Sequence, residues 1–252
     1  MELGLKGKVA IVGGSSQGIG YGIARLLAGE GASVAMVARR GEQLKEAAGR
    51  IKKETGAETF AIPADIRKAD DCIRIVEGAA AHFGRLDILV NNDGAPPLGL
   101  LMEFDDKAWD QAVQRNLMSV VRLSRAAIPH MKAAGGGRIV NITALSALQP
   151  MPKFGLSVAT WAAVIGYAKT LSLEVAADQI TVNTICPGRI ATGRLATVFG
   201  EEAEALAKQV PLGKIGQPED IAGLVALLAS NKGGYITGAT IHVDGGRRSN
   251  LL

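Results

Sequence analysis

Seven short runs rich in β-branched and aliphatic residues recur along the chain, at Val9–Val12, Ser33–Val37, Thr59–Ile62, Ile88–Val90, Arg138–Ile142, Thr181–Ile185 and Thr240–Val243. Between them lie longer stretches with helical patterning, among them Ile19–Gly29, Gln43–Lys53, Cys72–Ala81 and Trp109–Met131. Strand and helix in strict alternation predict βαβ units, and so a parallel sheet covered by helices on both faces. The runs "VAIV" and "DILV" show no polar alternation, as strands buried on both sides require. No Pro-rich or Ser-rich linker divides the sequence, so residues 1–252 read as a single α/β domain. Two irregular stretches, Asp93–Gly99 and Pro187–Leu212, follow strand ends. Ligands of open parallel sheets bind beyond the carboxyl ends of the strands, so both stretches should face a cleft, with 187–212 covering the substrate.

Composition narrows the function classes. Hydrophobic residues make up 48%, enough for a buried core, and the 32 glycines favour close backbone approach. The formal charge of +4 is spread along the chain rather than blocked, which reads as surface solvation and gives no footprint for nucleic acid. Cys72 and Cys186 have neither metal nor redox spacing, and Cys186 between Ile185 and Pro187 reads as a small buried residue. No metal site is expected. The first residues lead straight into a strand pattern without signal-peptide architecture, and "AGLVALLAS" is too short to span a bilayer. A soluble, cytoplasmic protein with no membrane partner is the expectation. The stretch 157–177 is apolar on nearly every face, which predicts a buried helix that also serves a subunit contact.

"VAIVGGSSQGIG" sets a glycine-rich turn between the first strand and the first helix, with Gly14, Gly18 and Gly20 spaced G-x-x-x-G-x-G. Such a turn lets the backbone approach a pyrophosphate, and the helix N-terminus supplies donors and a positive dipole end. The competing reading is a tight turn that binds nothing. The second strand ends in Ala38, Arg39 and Arg40, where an NAD site often has an acid for the ribose 2′-hydroxyl. A guanidinium there suits a 2′-phosphate, which favours NADP(H) over NAD(H), unless both arginines face solvent.

Taken with these motifs, the chain resembles the short-chain dehydrogenase/reductase family over essentially its whole length. "GGSSQGIG" resembles that family's T-G-x-x-x-G-x-G, with Gly13 in place of Thr. "PADI" resembles the segment at the adenine, "NNDG" the N-N-A-G after the fourth strand, and "CPGRIAT" the P-G-x-x-x-T motif. "RNL" places Asn116 at the family's catalytic Asn, and "GYITGATIHVDGG" resembles its last strand. The resemblance implies a Rossmann-type, doubly wound, seven-stranded parallel sheet and hydride transfer between a nicotinamide and a small molecule. It implies dinucleotide contacts from Gly14, Ser16, Gln17, Gly18, Ile19, Gly20, Arg39, Arg40, Asp65, Ile66, Asn92, Gly94, Pro187, Gly188, Ile190 and Thr192. A homotetramer or homodimer is implied as well.

The same alignment exposes departures. The family's catalytic Ser falls at Ala144, its Tyr at Ser157 and its Lys at Trp161. A Ser hydroxyl is a far weaker acid than a Tyr phenol beside a cation. Ser146, Ser157 and Asn116 are the remaining candidates for a catalytic role. Lys153 lies in the preceding loop, while Tyr167 and Lys169 lie further along the helix. Trp161 is either a core residue or a ligand-facing one. Asp93 replaces a small apolar residue, so its carboxylate either pairs with an Arg or meets a polar substrate. Two readings follow: an NADP(H)-dependent oxidoreductase with a non-standard site, acting on a carbonyl, imine or activated alkene, or a catalytically silent homologue serving as sensor or partner subunit. A third, an assembly module without cofactor, predicts decay of the glycine loop and of "CPGRIAT", and both are intact.

Overall fold

Each of the seven apolar runs is a strand in the computed structural model, which describes residues 2–200 and 203–250. They are β1 (Val9–Gly13), β2 (Ser33–Ala38), β3 (Thr59–Pro63), β4 (Ile88–Asn91), β5 (Gly137–Ile142), β6 (Ile180–Pro187) and β7 (Thr240–Val243). They form one sheet in the order β3-β2-β1-β4-β5-β6-β7, every pairing parallel. Winding runs outward from β1 to β3, then returns to lay β4 on the other side of β1. That reversal opens a crevice at the carboxyl ends of β1 and β4.

The period-2 geometry of a strand divides each apolar run between two cores. Ala10 and Val12 join Val34, Met36, Ile88 and Val90 against the helices α1 (Gly18–Gly29), α2 (Gly41–Thr55) and α9 (Pro218–Ala229). Val9 and Ile11 join Ala35, Val37, Leu89 and Ile139 on the opposite face. That face is covered by α3 (Ala69–Phe83), α5 (Ser119–Ala133) and α6 (Gly155–Glu174). At the amino ends of the strands, Asp87 fastens the sheet. It accepts from Lys8 Nζ at 2.9 Å, Arg85 Nε at 2.8 Å and the Val9 amide at 3.0 Å.

The helical stretch expected at 109–131 differs from the expectation. It begins earlier, as α4 (Asp106–Val113), because the Asp105 carboxylate caps the Ala108 amide at 2.8 Å. It is then interrupted by a π-helical turn over Gln114–Met118 before α5. The wide turn points Asn116 into the interior, where Nδ2 donates to Thr160 Oγ1 at 2.8 Å. Single π turns of this kind recur at functional positions.

The helix expected at 157–177 is α6, and it is not buried all round. Leu156, Trp161, Val164, Ala168 and Leu171 form a packed face, while Ala162, Ala163, Gly166 and Thr170 face outward and Leu173 is 72% exposed. Apolar residues on every face therefore mark one side against the sheet and one side open, rather than a core helix. Among the described residues it is the one helix long and apolar enough, by length and composition, to cross a bilayer. The cover segment contains α7 (Gly193–Phe199) and α8 (Ala203–Ala207), while Glu201 and Glu202 lie outside the described residues.

Candidate active site

The crevice between β1 and β4 is a cleft of about 380 Å³, and every dinucleotide contact expected from the sequence lines it. Its floor is the turn after β1. Gly14 is left-handed there, φ +57°, and a Cβ on it would lie 2.7 Å from Asn92 Nδ2. A Cβ on Gly20 would press into the Gly14 carbonyl. Asn92 holds the turn from the β4 side, donating from Nδ2 to the Gly13 carbonyl at 2.9 Å. Ser15 holds it from the β2 side: its amide donates to the Val37 carbonyl at 3.1 Å and its Oγ accepts from the Val37 amide at 2.9 Å. The first helix turn then opens on the cleft with no side chain capping its amides. An anion there meets backbone donors and the positive end of the helix dipole.

Arg39 and Arg40 line the wall beyond the end of β2. Arg40 Nη1 donates to Gln43 Oε1 at 3.5 Å, and Gln43 Nε2 donates to Gln17 Oε1 at 3.2 Å, so the arginine wall is tied to the glycine turn. No carboxylate pairs with Arg39 at salt-bridge distance among the described residues. The next wall carries Asp65, whose carboxylate takes Arg67 Nη2 at 2.5 Å and Nε at 2.9 Å. The Arg67 guanidinium holds the Asp65 carboxyl down at about 2, against the opposing effect of burial. Asp93 pairs with an arginine, as one of the two sequence readings required: Arg115 Nε lies 3.6 Å from its carboxylate. Burial pushes the Asp93 carboxyl up, and the Gly94 amide, Arg115 and Arg39 pull it partly back.

The far end is lined by Pro187, Gly188, Ile190 and Thr192 on one side and by Ala144, Phe154 and Trp161 on the other. Trp161 is 9% exposed and forms part of both this cleft and a smaller cavity beneath it, so it is a core residue and a wall residue at once. Ser157 does not reach the cleft. It is 1% exposed, as is Ser146, and neither hydroxyl has a hydrogen-bond partner among the described residues. Asn116 lines the smaller cavity together with Trp161 and Thr143.

Among the described residues no tyrosine and no lysine lines the cleft. Tyr21 lies under the Arg50 guanidinium, Tyr167 packs against the core on the α5–α6 face, and Tyr235 is fully exposed. Lys153 is exposed in its loop and Lys169 on the outer face of α6. Among the described residues no cluster of His, Cys, Asp or Glu could hold a metal ion. Cys186 is fully buried at the end of β6, where burial pushes its thiol up.

Among the polar cleft residues, sequence reasoning missed Gln43, Arg67, Arg115, Thr143 and Arg194. Arg115 stands beside Asn116 in "RNL" and Arg194 two residues past the end of "CPGRIAT". Nothing in a linear motif says that the two meet across a cleft.

The chain matches the family model described as "Enoyl-(Acyl carrier protein) reductase" over residues 14–248. It is 38% identical to the 3-oxoacyl-[acyl-carrier-protein] reductase FabG of Staphylococcus epidermidis, over 95% of this chain and 98% of that one. It is 34% identical to the human dehydrogenase/reductase SDR family member 4, over 98% of this chain and 90% of the relative. The L-sorbose reductase of Gluconobacter frateurii, solved with NADPH and L-sorbose, superposes with a TM-score of 0.95 at 35% identity, with full coverage of both chains. Identity at this level, sustained from end to end on the same seven-stranded sheet, makes this chain a member of the short-chain dehydrogenase/reductase family of oxidoreductases.

Proposed function

We propose that the protein is a single-domain, NADP(H)-dependent oxidoreductase with a non-standard acid/base site, acting on a small molecule as a homo-oligomer. The observation that carries this reading is one cleft lined by every residue expected to contact a dinucleotide and, among the described residues, by no tyrosine or lysine. The residues present fit the cofactor. The uncapped start of α1 offers amides to a diphosphate. Arg39 and Arg40 offer charge-assisted donors to a 2′-phosphate, which NADH lacks. Asp65 and Ile66 would border the adenine, Asn92 and Gly94 the middle of the dinucleotide, and Pro187, Gly188, Ile190 and Thr192 the nicotinamide, all of them lining the one cleft. The L-sorbose reductase solved with NADPH supports the same preference.

The cofactor would supply a hydride at one face of its nicotinamide, close to Ala144 and Trp161. The chain's own residues then have little acid strength to offer. A positioned general acid is worth about 10²–10⁴-fold in rate. Of the polar groups the sequence offered for proton handling, Ser146 and Ser157 are buried away from the cleft lining and Asn116 lines only the cavity beneath it. A serine hydroxyl is in any case a poor substitute for a phenol held near a cation. The acceptors that suit such a site need little protonation in the transition state: activated alkenes, iminium-type imines, or carbonyls whose proton comes from water. A second reading, a catalytically silent dinucleotide-binding homologue, draws on the same lack of tyrosine and lysine.

Titration with NADPH and NADH, following nicotinamide and protein fluorescence, should give tighter binding of NADPH. NADPH consumption over a panel of enones, imines and ketones then separates the two readings, since binding without turnover supports the silent homologue. The variant Ala144→Ser, Ser157→Tyr, Trp161→Lys should gain ketone reduction by at least about 10²-fold. If the folded, cofactor-binding variant gains none, the site has diverged beyond those positions.

A further inference from the structure

We propose that Arg115 and Arg194 form an anion-recognition pair that selects a small carboxylate-bearing substrate, with the carboxylate held by the two guanidiniums and the apolar body lying toward Phe154 and Trp161. This deepens the oxidoreductase reading and rests on the cleft's binding a nicotinamide dinucleotide.

The two guanidiniums come from distant parts of the chain, the π turn before α5 and the first turn of α7. They converge on consecutive carbonyls of one loop: Arg115 Nη1 donates to Ala95 O at 3.2 Å, and Arg194 Nη2 donates to Pro96 O at 3.2 Å. Both line the main cleft. A single carboxylate, Asp93, serves the pair, and it lies on the Arg115 side. Arg194 has no carboxylate partner at salt-bridge distance among the described residues. Protein surrounds it closely enough that burial, together with the neighbouring Arg115 charge, disfavours its charged form. Two guanidiniums beside one carboxylate leave a net positive site, and a ligand carboxylate completes it in bidentate geometry.

The loop that carries Ala95 and Pro96 also closes the substrate side. Gly99 pairs with Phe154 as an isolated parallel bridge, its amide donating to the Lys153 carbonyl at 3.0 Å. Phe154 and Trp161 then face the cleft from beyond that wall. Leu100, Leu101 and Met102 continue the apolar surface at the rim, all more than half exposed. The arginines therefore stand at the polar boundary of an apolar chamber, while the dinucleotide's own anions have their donors at α1 and at Arg39 and Arg40. The bound compound is accordingly an organic acid that also carries the reducible carbonyl or conjugated alkene.

Hexanoate and hexanamide, matched in size and shape, test this when titrated into the full chain saturated with NADP⁺. Quenching of tryptophan fluorescence and calorimetry serve as readouts. Hexanoate should bind at least about tenfold more tightly than hexanamide, since hydrogen bonds to a charged group are roughly twice as strong as neutral ones. Arg194→Gln and Arg115→Gln should each bring the two ligands toward parity, with NADP⁺ affinity changed by less than about threefold; Arg194→Lys should keep part of the preference. Equal binding of the two ligands, or binding of neither, overturns the proposal. So does an Arg194→Gln variant that loses NADP⁺ affinity but keeps the preference, because the arginine then serves the dinucleotide. The cofactor reading fails separately, if the unaltered protein does not bind NADP⁺ in the preliminary titration.

Discussion

The two ends of the cleft are built from different material. At the dinucleotide end the parts are backbone and charge: a left-handed glycine, a helix terminus, and guanidiniums at the end of a strand. At the opposite end they are the tips of side chains, where a phenol, an ammonium or a hydroxyl must sit within hydrogen-bond reach of a reacting atom. The first kind of site survives so long as the chain can turn and carries the right sign of charge. The second depends on which atom occupies each position. At the three places where the family resemblance would set its catalytic groups, this chain carries a methyl, a buried hydroxyl with no hydrogen-bond partner among the described residues, and an indole. Binding and chemistry can therefore part company within one cleft, because they rest on constraints of different stringency.

The largest effect that would break this contrast comes from the glycine turn. Gly20→Val places side-chain atoms against the Gly14 carbonyl. It should abolish NADPH binding, by more than about 100-fold in fluorescence titration, while the rest of the sheet still folds by circular dichroism. If the variant binds normally, the dinucleotide end does not depend on backbone shape as described. Next comes charge. Arg39→Ala should weaken NADPH by roughly 10- to 100-fold and leave NADH nearly unchanged, the size expected for losing a charge-assisted contact. An equal loss for both cofactors would place Arg39 elsewhere.

A smaller effect sharpens the contrast by acting on neither end. Asp87→Asn, at the amino edge of the sheet, removes the carboxylate that gathers Lys8, Arg85 and the Val9 amide. It should cost about 1–3 kcal/mol of stability and leave cofactor affinity intact. Calorimetry together with NADPH titration checks both halves. The least effect is the acid limb. Burial alone would raise the Asp87 carboxyl, but Arg85, Lys8 and the Val9 amide hold it below its ordinary value, and Arg67 holds Asp65 at about 2. Groups depressed in the folded state stabilise it above the unfolded carboxylate value near about 4. That contribution should fade as pH falls from there toward about 2. In Asp87→Asn the melting temperature should fall less steeply over the same range.

How much of this was legible in the sequence follows the same division. The strands were readable because their apolar runs are continuous, a direct consequence of burial on both faces. Arg39 and Arg40 were readable because their place at the end of β2 is fixed by the glycine turn a known distance upstream. The continuous helix expected at 109–131 was not, because a π turn leaves no mark in apolar periodicity; only the packing of Asn116 against Thr160 discloses it. The helix at 157–177 was legible on its sheet-facing side, while its outward side, where the expected subunit contact would lie, is open in the single chain. Its outward face is made of Ala, Gly and Leu, which composition cannot tell from a core face. Arg115 and Arg194 stayed hidden because they are 79 residues apart in sequence (194 − 115) and meet through the carbonyls of a third segment.

One small detail has a practical reach. Ser15 stitches the glycine turn to Val37, one strand residue before Ala38, with the arginines following at once. The stitch uses main-chain groups and a single hydroxyl, and neither guanidinium takes part in it. The Ser15–Val37 stitch thus stands without either arginine, and Arg40 reaches the turn only through the side chains of Gln43 and Gln17. Exchanging the two arginines for acids should shift dinucleotide preference toward NADH while the Ser15–Val37 stitch keeps its shape, which paired NADPH and NADH titrations check.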